Sequence, residues 1–219
     1  DQAETWLKNN SKIQQRTAKA ESGVIGYYKG DTSVSLVVVK CETDFVAINP
    51  NFIKYADELA KDLNANLAEA VDNFKEKIWT FKESTEIGAH LTAPYNDEQV
   101  ALYMHHNRSR ATILRYTGGE EADALKIAMH ICAINPSVVS RTELCEQQLS
   151  EMHQKAKEEA LASGKPENIA DKIAEGKVNN SLKEFVLLEQ PMFDDAKTTV
   201  GGYAGKKGIN ILKFVNITL

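Results

Sequence analysis

A chain of 219 residues with 42% apolar and 26% charged residues is long enough for one large or two small domains with buried cores. That composition excludes a disordered tail or a collagen-like repeat, and no run reaches the roughly 18 apolar residues of a membrane-spanning helix. With 26 Lys and Arg against 31 Asp and Glu, the net charge of −5 supplies no general attraction to nucleic acid or to an anionic membrane.

Residues 1–22 read as a helix in which Ala3, Trp6 and Leu7 share a face, ended by Gly23. The chain opens without Met and already in helical sequence, so further residues are expected before Asp1. Two β-branched or aromatic runs follow, Val24 to Tyr28 and Val34 to Val39, joined across Gly30-Asp31 as a hairpin. Val37-Val38-Val39 breaks strict alternation, which predicts a strand covered on both faces.

Phe52, Ala56, Leu59 and Leu63 recur at helical spacing, and Leu67, Val71, Phe74 and Ile78 extend that pattern. A second hairpin is expected from Val100 to Met104 and from Thr112 to Tyr116. After Gly118-Gly119 a helix buries Ala124, Ile127, Ala128 and Ile131 and stops before Pro136. Hairpin followed by helix therefore occurs twice. The fold class is α+β: two related hairpin-plus-helix core subdomains, an inserted antiparallel helical hairpin and a remnant N-terminal helix.

The insertion covers 147–185. Charges alternate in sign there, and Leu149, Met152, Ala156 and Ala160 make a thin apolar stripe continued by Ile169 and Ile173. Gly164 stops one helix and Pro166 starts the next. The expected division is 1–16 as the end of an N-terminal helical module, 17–97 as the first core subdomain, 98–146 with 186–219 as the second, and 147–185 as the helical hairpin. A closing strand is expected from Ile209 to Ile217.

No phosphate-cradling glycine loop, zinc-spaced Cys/His set or nucleophile elbow occurs. Cys41, Cys132 and Cys145 form neither a disulfide framework nor a metal pattern. They read as small buried hydrophobes of a reducing, intracellular compartment. His105 and His106, adjacent on a presumed strand, are expected on opposite faces, poorly placed to share a metal. His130, between apolar neighbours on a helix, reads as a satisfied core histidine. The chain is therefore read as neither an enzyme nor a holder of cofactor or metal.

The segment that stands out is Lys40-Cys-Glu-Thr-Asp-Phe-Val-Ala47. Thr43 or Asp44 can cap a helix with Phe45 as a core aromatic. Alternatively an exposed Asp44-Phe45 pair forms a small wedge with a charged edge. Cys41-Glu-Thr-Asp-Phe-Val46 resembles the Thr-Asp-Phe-Val signature of the elongation factor Ts family, the guanine nucleotide exchange factors of elongation factor Tu. Ala3-Glu-Thr-Trp-Leu7, Glu86-Ile-Gly88, Tyr103-Met-His105, Lys126-Ile-Ala-Met-His130 with Asn135-Pro136, Ser163-Gly-Lys-Pro166, Ile173-Ala-Glu-Gly176, Leu188-Glu-Gln-Pro191 and Thr199-Val-Gly201 resemble further family segments in order.

That resemblance implies a factor that releases GDP from the Tu GTPase, in a bacterial cytoplasm or, alternatively, an organellar matrix. No nucleic-acid or membrane partner is expected. The resemblance assigns partner contact to Thr43, Asp44, Phe45, Val46, Ile87, Gly88 and His105, with His105 preferred over His106. Phe45 is implied to wedge between two helices of the GTPase near its Mg²⁺, and Asp44 to disturb the water shell of that ion. Thr112 stands where the family often has glycine. The alternative from another class is a non-exchanging interaction module or scaffold on the same fold.

Overall fold

In a computed structural model, residues 20–219 are described, apart from Asn96 and Lys165. The expected N-terminal helical module lies outside the described residues. The described end of the expected helix is not helical: Ala20 and Glu21 precede a strand that begins at Ser22. The described residues divide into two compact units, one of residues 20–94, 107–109 and 219, the other of 95–106 and 110–218.

In the first unit, β1 (Ser22–Lys29) and β2 (Ser33–Cys41) form an antiparallel hairpin, closed where the Gly30 N–H donates to Ser33 O at 2.8 Å. Every residue from Val34 to Val39 is buried, Ser35 among them, so this strand is covered on both faces. A single helical turn, α1 (Asp44–Ala47), leads into α2 (Pro50–Ala65). Asn49 caps α2 by accepting from Asn51 N at 2.9 Å, with Pro50 in the first turn. Phe52, Tyr55, Ala56, Leu59, Ala60 and Leu63 then pack on the sheet. Close approach of α2 to β1 requires Gly26, because a Cβ there would stand 2.1 Å from Ala56 O.

The periodicity that ran on to Ile78 is interrupted at Asn66. Its side chain accepts from Ala68 N at 3.1 Å and Glu69 N at 3.4 Å, which restarts the chain as α3 (Leu67–Lys77). After a 3-10 turn (Ile78–Phe81), β3 (Thr85–Pro94) pairs antiparallel with β2, giving the order β1-β2-β3. Periodicity did not reveal β3. It is half exposed, and a register slip opposite Val37 and Val39 breaks its alternation.

The second unit repeats this plan. β4 (Gln99–Met104) and β5 (Arg110–Thr117) form a hairpin, and α4 (Glu121–Ile134) buries Ala124, Ile127, Ala128 and Ile131. Next come α5 (Glu146–Ala162), α6 (Glu167–Phe185), the short strands β6 (Pro191–Met192) and β7 (Asp195–Thr199), and α7 (Val200–Lys206). β8 (Asn210–Thr218) then pairs with β5, so the order is β4-β5-β8. In both units the second hairpin strand is central, flanked by a strand that arrives later. Thr112 is buried here and donates to Asn216 Oδ1 at 2.8 Å. Asn216 in turn donates to Asn135 Oδ1 at 2.8 Å, and Asn135 ends α4 in the left-handed conformation.

The α5–α6 pair is joined by ion pairs of Lys157 with Asp171 at 2.8 Å and of Lys177 with Glu159 at 3.0 Å. Its seam is finer than the sequence pattern implied: Ala156, Ala160, Ala170 and Ala174 are buried, whereas Ile169 is exposed. Alanines let the helices approach closely, and the register that buries Ala170 turns Ile169 outward. Arg141 anchors the pair's base through Glu189 and Asn179, the latter at 2.9 Å.

His130 is fully buried on α4. The Phe193 N–H donates to its Nδ1 at 3.2 Å, so Nε2 carries the proton and donates to Gln190 Oε1 at 2.9 Å. Gln190 donates onward to Glu184 O at 2.5 Å. Burial holds the imidazole below its ordinary value of 6.5, and a proton on Nδ1 would remove the acceptor for Phe193. Because the folded-state pKa is lowered, the stability this residue contributes is complete above 6.5 and is lost as pH falls below it. Denaturant midpoints measured from about pH 7.5 to about pH 5.5 should fall more steeply for the wild type than for His130→Leu. Parallel curves would contradict this.

Candidate functional site

The chain leaves the core of the first unit at Cys41, the last residue of β2, which is completely buried. Burial, with the carboxylates of Glu83 and Asp44 adding to it, pushes its thiol up to about 11. The thiol stays neutral and donates to Thr43 O at 3.2 Å, a structural part and not a nucleophile. Cys132 is buried too, whereas Cys145 is exposed, contrary to the buried reading of all three.

Thr43 caps α1 in extended conformation, and its Oγ1 accepts from Val46 N at 3.4 Å. The same hydroxyl donates to Glu83 Oε1 at 2.6 Å, while Thr43 N–H donates to Glu83 Oε2 at 3.1 Å. A contact of opposite sense lies beside it: Ser84 N–H donates to Glu42 Oε1 at 2.9 Å. Two carboxylates thus cross between the segment before α1 and the segment before β3. Spacing along the chain gave no sign of Glu83, which lies 40 residues from its partner.

On α1, Ala47 is buried and Val46 packs against the core of the unit. Asp44 is exposed, and Phe45 stands 79% exposed. Of the two readings left open by the sequence, the cap holds for Thr43 but the aromatic is not a core residue. Ile48, three positions on, is 70% exposed, so two large apolar side chains project from one short turn. Ile48 was legible only as an apolar residue at helical spacing from Phe45.

Ile87 and Gly88 lie on β3 in the same unit. Ile87 pairs with Val39 and packs partly buried against the core, so most of its side chain is structural. Gly88 occupies the register slip, where a Cβ would approach Val38 Cγ1 to 3.1 Å. Lys40 and Glu86 pair across the strands at 3.5 Å.

His105 belongs to the second unit. It is half-buried just past the end of β4, where its N–H donates to Arg110 O at 2.9 Å and its Nδ1 lies 3.4 Å from Tyr103 OH. Neither His105 nor His106 is on a strand. Their ring centroids are 4.3 Å apart, so the expected opposite-facing arrangement does not occur; leaving the pleat at Met104 removes the alternation on which it rested. Among the described residues no group of three or more His, Cys, Asp and Glu is arranged to hold a metal ion.

A family model described as "Elongation factor TS" matches residues 42–219. Elongation factor Ts of Nitratidesulfovibrio vulgaris is 34% identical over 221 residues, covering 91% of this chain and 76% of that protein. Elongation factor Ts of Levilactobacillus brevis is 30% identical over 225 residues, with 95% and 76% covered. That of Nitrosomonas eutropha is 33% identical over 232 residues, with 97% and 78% covered.

The exposure of Phe45 fixes what its truncation does to stability. Phe45→Ala should shift the unfolding free energy by no more than about 0.5 kcal/mol. Phe52→Ala, at a completely buried site, should cost roughly 3–5 kcal/mol. Thermal and denaturant unfolding of the two variants checks this; comparable losses would return Phe45 to the core.

Proposed function

The chain belongs to the elongation factor Ts family, and from that premise we propose that it promotes GDP release from the elongation factor Tu GTPase by inserting Asp44-Phe45 near the bound Mg²⁺. Family membership makes it a translation elongation factor. The observation that carries the finer reading is the 79% exposed Phe45, held on a capped turn at the family's signature segment.

Nucleotide in such a GTPase is held by backbone amides of the phosphate loop, by its lysine and by Mg²⁺ bridging phosphate oxygens. Loosening that grip takes no covalent chemistry. It takes binding energy directed to a GTPase conformation that holds phosphate and metal badly. A factor that weakens nucleotide a thousandfold is itself weakened a thousandfold by nucleotide, about 4 kcal/mol of coupling. One buried Phe contributes about 1.5–3 kcal/mol, so Phe45 needs a wider interface beside it.

In this reading Phe45 enters between two helices of the GTPase domain, and Asp44 acts on the water shell of the metal. Thr43 and Val46 hold the turn. His105, Ile87 and Gly88 act on the phosphate-loop side, and the second unit binds a distal domain of the GTPase. The α5–α6 pair is either a further contact or a passive projection, its narrow apolar stripe being consistent with both. The setting is the bacterial cytoplasm or an organellar matrix, and no step asks the chain for a cofactor.

Phe45→Ala should slow GDP release from the GTPase several-fold or more in a stopped-flow assay with fluorescent GDP. Asp44→Ala should show its larger deficit at limiting Mg²⁺. Wild-type release by Phe45→Ala would sink the wedge. Tight association without any change in GDP release would favour a non-exchanging interaction module.

A further inference from the structure

A helical turn of four residues has no stability of its own, since nucleation costs more than one or two backbone hydrogen bonds return. α1 nevertheless presents a large ring to water in one orientation. The buried Ala47 and half-buried Val46 hold one end of the turn. Its other end rests on Thr43, and Thr43 rests on Glu83: one carboxylate takes both the backbone N–H at 3.1 Å and the hydroxyl at 2.6 Å. Hydrogen bonds to an ionised acceptor are about twice as strong as neutral ones. Glu83 also leaves the Thr43 oxygen lone pairs for Val46 N–H, so clasp and cap are compatible.

A single contact would act as a hinge about which the turn could swing. The second contact, from Ser84 N–H to Glu42 at 2.9 Å, runs in the opposite direction between the same two segments and removes that freedom. Glu42 and Thr43 immediately precede Asp44 and Phe45, and Ser84 immediately precedes β3. The direction of the wedge is therefore referred to the sheet.

We propose that this reciprocal carboxylate clasp sets the fraction of molecules in which Phe45 is presented for insertion, making Glu83 a positioning residue for nucleotide exchange, with Glu42 as its counterpart. The inference rests on the exchange function proposed above. Its signature is specific. If only a fraction of the chain is competent, its apparent affinity for the GTPase falls by that fraction, while saturating factor still drives release at the full rate. Removing Phe45 itself instead lowers the saturated rate.

GDP release from the GTPase is to be measured against concentration of the full chain for wild type, Glu83→Ala, Glu83→Gln, Phe45→Ala and Phe45→Ala combined with Glu83→Ala. Glu83→Ala should raise the concentration for half-maximal stimulation about tenfold, with the saturated rate retained. Glu83→Gln, which keeps one acceptor oxygen, should fall between it and the wild type. In the Phe45→Ala background the Glu83 substitution should add little, because no ring is left to position. Thermal unfolding confirms that each variant is folded at the assay temperature. Should Glu83→Ala not fold, Glu83→Gln and Glu42→Gln carry the test, each raising the half-maximal concentration.

An unchanged half-maximal concentration, a lowered saturated rate alone, or effects that simply multiply with Phe45→Ala would overturn the clasp while leaving the wedge intact. Wild-type release by Phe45→Ala alone would overturn the wedge, and this inference with it.

Discussion

The structure around the candidate site depends on one constraint: Thr43 must satisfy Val46 N–H and Glu83 at once. When it does, the chain leaving β2 turns sharply enough to bury Ala47 and carry Phe45 outward. Without the cap, the first amides of a four-residue turn would compete for water, and the apolar ring would be drawn toward the core by about 1.5–3 kcal/mol of unrealised burial. The site is thus a small region where the usual ordering of apolar side chains is held inverted by hydrogen bonds.

The two units show how little machinery that requires. Each is a three-stranded antiparallel sheet with the second hairpin strand at its centre and a helix packed on one face. In the first unit a glycine at position 26 lets α2 lie directly on β1, and the aromatic cluster of Phe52, Tyr55, Phe74 and Phe81 closes the core. In the second, the buried chain of His130, Gln190 and Phe193 N–H ties α4 to the segment that follows the helical pair. Both cores are closely packed supports for the residues that project from their ends.

Much of this was legible in the amino-acid sequence, for local reasons. The β-branched runs around Gly30 and the 3-4 spacing from Phe52 to Leu63 and from Ala124 to Ile131 are short-range signals, and each became the expected element. What escaped depended on strand pairing and on side-chain hydrogen bonds, which hydrophobic spacing does not report. β3 has a broken alternation because Gly88 and Ala89 face Val38 alone, and only pairing with β2 identifies it as a strand. Asn66 looked like one polar residue on a continuing helix until its side chain took the amides of Ala68 and Glu69. The signature segment resembled its family plainly. Whether Phe45 was core or surface was undetermined locally, because a cap at Thr43 is compatible with either, and the Glu83 that holds Thr43 lies 40 residues away.

The central claim is that Phe45 couples the chain to the nucleotide state of its partner. Calorimetric titration of the chain with nucleotide-free and with GDP-loaded Tu GTPase measures that coupling directly, as the ratio of the two dissociation constants. The account predicts a large ratio for the wild type, on the order of a thousandfold, that shrinks for Phe45→Ala mainly through weaker binding of the nucleotide-free form. An identical ratio for the two proteins would contradict it.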